Sequence, residues 1–294
     1  MLKKVLACLV SICLVFPCNI ALADDSLKDD RSTNQVQQAD IDYWRENFES
    51  FDKLLNDGTL GELVGSTDMY IKYTPKDENQ KVDVKTATKD DFVSEVFTKN
   101  EYEKEILQEK MTTTYSRRST IGDFRTNGTC SWLRLSMTIY EKPRQEGCYI
   151  ATTFWEWLTS PVFRLKDLNG IYVSSELAID QQNSQEYQAE FRYRVNGEIW
   201  QRETPTVKTS QYGNGAAVEF NLPGSDIMQF DSFRGMLNVP IKFSNSGSIC
   251  GSVYTNYIHS LVSVGSLSFD KNGLSSFGFG IKQDEFSGSL LINK

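Results

Sequence analysis

Glu156 stands between Trp155 and Trp157, an aromatic setting of the kind that raises a carboxyl pKa and stacks a sugar ring. Glycoside hydrolysis needs two carboxylates about 5–10 Å apart, so Glu156 is the candidate catalytic residue of a carbohydrate-active enzyme and requires a second acid within reach. A different use of the same strand is binding. By two-residue alternation Phe154 shares a face with Glu156, and Trp132 and Arg134 fall on the matching face of the preceding strand. Exposed aromatic and arginine side chains are what recognition surfaces employ, which makes Trp132, Arg134 and Phe154 the candidate binding residues for a polysaccharide or a protein. If these three are instead covered by a helix near 41–56 or by a second sheet, they are core.

Other chemistries find little support. With His259 the single histidine, two-histidine zinc sites and the H-E-x-x-H helix are excluded. His259 sits in an alternating segment, and no G-x-S-x-G elbow accompanies it, so it is read as a polar strand residue. Ser50 with Lys53 and Ser268 with Lys271 match S-x-x-K by spacing. Ser50 is expected in mid-helix and Ser268 before a turn, neither being the helix N-terminus that acyl-serine chemistry uses. Asp167-Leu168-Asn169-Gly170 and Asp270-Lys271-Asn272-Gly273 lack the later acids of a calcium loop and are read as turns. No metal and no cofactor is expected. Asn127-Gly128-Thr129 is a glycosylation sequon, meaningful only in a eukaryotic host.

The N-terminus carries the parts of a secretory signal in order: Lys3 and Lys4, an apolar run from Val5 to Phe16, and Ala21-Leu22-Ala23 as a small-x-small cleavage site. Residues 1–23 are therefore read as a signal peptide, and the protein as secreted. The apolar run is shorter than the roughly 20 residues of a membrane helix, so cleavage is favoured over anchoring and no integral membrane segment is expected afterwards. Cleavage takes two of the 31 basic residues and none of the 39 acidic ones, moving the net charge from −8 to −10. Nucleic acid is a poor partner for such a surface. Cleavage also removes Cys8, Cys13 and Cys18. Of the three that stay, Cys130 and Cys148 fall at opposite ends of one hairpin, so a disulfide, if formed, joins one of them to Cys250; three buried thiols are the alternative.

The elements that must carry these residues are legible from periodicity. Residues 24–39 show no apolar period and are read as a disordered lead. Ile41, Trp44, Phe48, Phe51 and Leu55 recur at helical spacing behind Asp40, the expected N-cap. A strand is expected at 68–74. Phe92, Val93, Val96 and Phe97 suggest a second helix, restarting at Asn100 toward Lys110. Residues 40–111 are thus a helical N-terminal part. From 112 to 294 sheet signals dominate. Leu133, Leu135, Met137 and Ile139 alternate against Trp132, Arg134, Ser136 and Thr138, and a hairpin through 142–147 places Leu133 near Trp155 and Ile139 near Tyr149. Asn196-Gly197 signals a two-residue turn that pairs Tyr193 with Trp200 and Arg192 with Gln201. A three-residue loop at Lys271 to Gly273 puts Leu267 opposite Phe277 and Gly265 opposite Phe279. With further strands at 169–179, 216–222, 236–244 and 250–259, the expectation is a mainly β protein, an antiparallel β-sandwich of about nine or ten strands.

For function, this pattern favours a secreted, non-enzymatic binding or interaction protein. The carbohydrate-active enzyme built on Glu156 is the alternative. A third reading is a pore-forming or membrane-inserting β protein, suggested by the Ser/Gly-versus-apolar alternation of 261–282.

Overall fold

A computed structural model describes residues 36–76, 92–116, 131–159, 161, 166–194, 199–210, 213–223, 232–260, 268–270, 273–275 and 283–293. The signal peptide, most of the lead, Cys130, the sequon and the Asn196-Gly197 turn lie outside them.

Two antiparallel sheets face one another. The chain opens with α1 (Gln38–Asn47) and α2 (Glu49–Asn56), followed by β1 (Leu63–Pro75), β2 (Phe92–Phe97) and α3 (Lys99–Ser116). The long strands come next: β3 (Ser131–Glu141), β4 (Cys148–Trp157), β5 (Lys166–Val173), β6 (Leu177–Ile179), β7 (Gln188–Arg194), β8 (Gln201–Glu203), β9 (Lys208–Thr209) and β10 (Gly215–Asn221). β11 (Ser232–Phe243), β12 (Cys250–Ser260), β13 (Ser268–Asp270), β14 (Gly273–Ser275) and β15 (Gln283–Asn293) complete it. The first sheet runs β2-β1-β3-β4-β11-β7-β8, with β6 paired to the far end of β11; the second runs β15-β12-β5-β10-β9. The segment through β8 and β9 supplies one edge strand to each sheet, and β13–β14 form a small sheet of their own.

The mainly β sandwich is therefore present, with thirteen strands among the described residues of the two large sheets against the nine or ten expected. Part of the difference is that β1 and β2, which precede residue 112, belong to the first sheet. Phe92–Phe97 is a strand and no helix: Val93 and Val96 face solvent, and the segment pairs with the backbone that β1 leaves open at its edge. The helix behind Asn100 does form, as α3. The disordered lead ends earlier than expected, because Val36 is already buried and α1 begins at Gln38. Asp40 is not the N-cap: its carboxylate lies in the first turn and accepts the Gln37 N–H at 3.0 Å. The expected single helix is broken at Phe48, whose extended backbone drives its ring into the core.

Registers moved as well. The β3–β4 hairpin pairs Leu133 with Trp157 and Ile139 with Ala151, two residues from expectation. An even slip leaves every side chain on its face, so the expected alternation survives. The β7–β8 slip is odd: Tyr193 pairs with Gln201 and Arg192 with Arg202. That register brings Arg202 to Glu190 and Glu49 and lets Trp200 lie over Arg234. In β13–β14 Asp270 pairs with Gly273, one residue from the expected loop, and Leu267, Phe277, Gly265 and Phe279 lie outside the described residues. Asp167 to Gly170 is strand β5, not a turn.

Between the sheets Trp155 stacks on Phe220 at 4.3 Å and lies against Phe191 and Tyr257. Gly235 faces Trp155 across the β4–β11 ladder, and a Cβ there would sit 2.6 Å from the indole. Gly235→Ala is expected to lose about 1–3 kcal/mol by overpacking, measured as a lower urea midpoint with unchanged slope.

Candidate functional site

Strands β3 and β11 are buried on both faces, so something must cover the side of the first sheet that turns away from the second. Helices α1 and α2 do so. Trp44, Phe48, Phe51 and Leu54 pack on Tyr140, Ile150, Phe154 and Met236, forming a second core separate from the inter-sheet one. Trp44 lies flat on Phe154 at 4.0 Å and Phe51 meets it edge-on at 4.9 Å. Trp132 is closed off by Phe97, by Tyr102 of α3 and by the Lys72 ammonium. Trp132 and Phe154 are 0% and 2% exposed, so the expected surface patch is a correction: helices and β2 seal it because those rings are too apolar to leave in water.

Arg134, the third member of that patch, is also buried. It donates to Asp68 from Nε and Nη2, at 2.9 and 2.7 Å, and the same Nη2 reaches Asp40 of α1 at 2.8 Å. Ser136 donates to the same Asp68 carboxylate, and the guanidinium lies over Trp44 at 5.2 Å. Burial alone would raise the Asp40 carboxyl, but Arg134, the Gln37 N–H and Lys99 together hold it below the usual carboxylate range.

The ladder continues across the sheet. Arg134 is followed by Glu156, Arg234, Arg192 and Arg202, each paired with the next on the neighbouring strand. Glu156 accepts the Tyr43 hydroxyl of α1 at 2.6 Å, and Arg234 bonds the same hydroxyl at 3.1 Å. Burial raises the Glu156 carboxyl, against the opposing pull of Tyr43, Arg234 and Arg134. Its two cross-strand neighbours are arginines, so neither supplies the second carboxylate that a glycosidase requires. Tyr43, between burial and Glu156, is pushed up to about 12 and stays a proton donor. One row on, Glu190 is sealed beneath α2, holding Ser50 at 2.9 Å, Arg202 at 3.1 Å and Arg192.

Ser50 thus lies in the first turn of α2 and not in mid-helix as expected, because the break at Phe48 starts a new helix. Its hydroxyl is engaged by Glu190 and by Arg202 at 3.3 Å instead of by Lys53, so the S-x-x-K spacing does not become a nucleophile–base pair. His259 is a strand residue held in the interior, its Nδ1 3.0 Å from Asp167, which also accepts Tyr257. Cys148 and Cys250 are free, half-buried and exposed respectively, so no disulfide joins them and Cys250 is not a buried thiol. Among the described residues no cluster of His, Cys, Asp or Glu could hold a metal.

Among the described residues an open groove of about 460 Å³ lies where α2 meets the β8 edge, and a second concavity of similar volume is lined by the charged residues Asp42, Arg45, Glu46 and Asp52. Ser50, Ser184, Tyr187, Gln188 and Arg202 line the groove at the β8 edge, together with Thr204, Pro205, Val207 and Thr209 of the β8–β9 segment. The Tyr187 hydroxyl and the Gln188 carbonyl are shielded from water and have no hydrogen-bond partner in the protein. Leaving a buried polar atom unpaired costs about 1–3 kcal/mol, which makes these two atoms the unexplained polar groups of the groove. Burial and Asp180 push the Tyr187 hydroxyl up to about 12. Neither residue stood out in the sequence. The signal that could have found the ladder is the recurrence of charge at one face of apolar strands, at Asp68, Arg134, Glu156, Glu190, Arg192 and Arg234.

Fold and site together define a helix-capped, two-sheet antiparallel β-sandwich with a polar edge groove. No family model matches the chain, and no curated protein matches it. Among solved structures it is similar to the collagen-binding domain of a Staphylococcus aureus adhesin, at 8% identity over 52% of this chain and 93% of that one, TM-score 0.27. The full-length major pilin SpaD from Corynebacterium diphtheriae matches at 8% identity over 80% and 59%, TM-score 0.28. The C-terminal domain of the Streptococcus agalactiae AgI/II polypeptide BspA matches at 6% over 68% and 91%, TM-score 0.29. Likenesses at these scores carry no argument about function.

Two outcomes follow from the Arg134 network. Arg134→Ala leaves Asp68 charged and buried without its partner and is expected to cost about 3–5 kcal/mol in chemical denaturation. Because the Asp40 carboxyl is held low in the folded protein, its share of the stability is complete above the unfolded value of about 3.9 and lost as pH falls through the lower folded value. Thermal melts from pH 7 down to 2.5 should therefore fall on the acid side, and Asp40→Asn should flatten that limb.

Proposed function

We propose that this chain is a secreted, non-enzymatic binding or interaction protein whose ligand, a polysaccharide or another protein, meets it at the α2–β8 groove. The observation that carries the reading is the groove itself: an open concavity of ligand size lined mostly by hydroxyl and amide side chains, two of which, Tyr187 and Gln188, keep a shielded polar atom that the protein does not satisfy. The groups with catalytic potential are occupied elsewhere. Glu156 is held in a row of arginines beneath Tyr43, and His259 and Asp167 are bound to each other inside the sandwich. Export rests on the leader at 1–23 and on the acidic mature charge, which disfavours nucleic acid. No helix among the described residues is long and apolar enough to cross a membrane.

The pore-forming reading rests on the alternation of 261–282; among the described residues of that segment β13–β14 pairs with neither large sheet, although β14 packs against β5 in the middle of the second one. Release of dye from liposomes by the mature protein would support that reading, and intact liposomes would remove it. The binding reading is checked by presenting the mature chain from Asp24 to a glycan array and to a panel of purified extracellular proteins. Saturable retention on either is the expected result. Retention on neither, or turnover of a retained oligosaccharide, overturns it.

A further inference from the structure

We propose that the α2–β8 groove is a site for an uncharged saccharide. The inference rests on the binding reading above and narrows its ligand to one chemical class.

The groove lacks a free charge. Arg202 is the one formally charged residue in its lining, and that charge is already spent: one arm reaches Glu49 and the other lies 3.1 Å from Glu190. Glu190 is itself sealed, with none of its side chain exposed. A uronate, sulfate or phosphate entering here would find no unpaired cation to offset its desolvation, on a protein whose mature net charge is already −10. An uncharged ligand meets neither penalty.

Next comes what the groove offers. Ser50, Ser184, Tyr187, Thr204 and Thr209 bring hydroxyl-bearing side chains to the same lining as Gln188, the Ser50 hydroxyl being held by Glu190. The Gln188 carbonyl oxygen only accepts, whereas the Tyr187 hydroxyl both donates and accepts, and neither is paired. A glutamine amide turns broadly about its last torsion, so the motion that takes its oxygen out of its dry position also presents it to a ligand in the groove. A sugar hydroxyl is donor and acceptor in one atom and suits both partners, and its neighbouring C–H face suits the Tyr187 ring, Pro205 and Val207. A peptide is a poorer match. Peptide recognition uses an apolar anchor pocket or a free strand edge; the apolar lining here is limited to small groups beside the tyrosine ring, and the edge strand β8 offers only Gln201–Glu203 for pairing.

The two unpaired atoms allow a test that separates ligand binding from structure. Since Tyr187 Oη and Gln188 Oε1 make no hydrogen bond within the protein, Tyr187→Phe and Gln188→Leu should leave Tm unchanged or slightly raised. The mature chain and both variants are titrated, by NMR and calorimetry, with neutral oligosaccharides of hexoses and N-acetylhexosamines, and with uronate and sulfated oligosaccharides. The expected result is binding of a neutral oligosaccharide that each variant weakens about tenfold, with little dependence on salt. Undiminished binding by the variants overturns the site while leaving the binding reading intact. Preference for the acidic sugars with strong salt dependence overturns the ligand class, as does retention of proteins alone. Failure of every ligand overturns both.

Discussion

Arg134 is a cation that the fold takes out of water, and such a charge is tolerated only when fully paired. Its partners come from two different elements, Asp68 on β1 and Asp40 on α1, while Trp44 of α1 covers its face. Strand β3, the neighbouring strand and the helical cap are therefore tied at one point. The cap is an obligate part of the domain, because without α1 the guanidinium would lose Asp40 and its cover, and Phe154 and Met236 would stand in solvent.

That closure decides where function can lie. With α1 and α2 laid over the centre of the first sheet, Glu156, Trp132 and Phe154 become interior, and the other face of the sheet is taken by the second sheet. Access is left at the perimeter. Glu190 fixes one side of the groove there, since it holds Ser50 at the start of α2 and Arg202 on β8 together. The residue that aligns the groove is thus buried, and the groups that line it are neutral or neutralised.

Much of the fold was legible because period-two alternation reports faces directly. The β3 alternation placed Leu133 to Ile139 on one face and Trp132 to Thr138 on the other, and this survived a two-residue slip in register. Where reading failed, competing physics is identifiable. Phe92 to Phe97 has helical spacing, yet the open edge of β1 draws it into the sheet. The β7–β8 register departed from the one that an Asn-Gly turn favours, with Arg202 drawn to Glu190 and Glu49. The short strands β6, β8 and β9 carry too few residues for any period to show.

By itself the sequence determined the sheet class, the long strands, the amphipathic stretch that becomes the cap, the lack of a histidine metal site and the chemistry available at each position. Such features are local, written in residue type and spacing. Tertiary structure alone decided that Trp132, Arg134 and Phe154 are covered, that Glu156 sits between arginines, and that Tyr187 and Gln188 share a groove with Ser50 from the other end of the chain. Burial and pairing depend on which segments meet across long stretches of sequence, and no spacing rule carries that information.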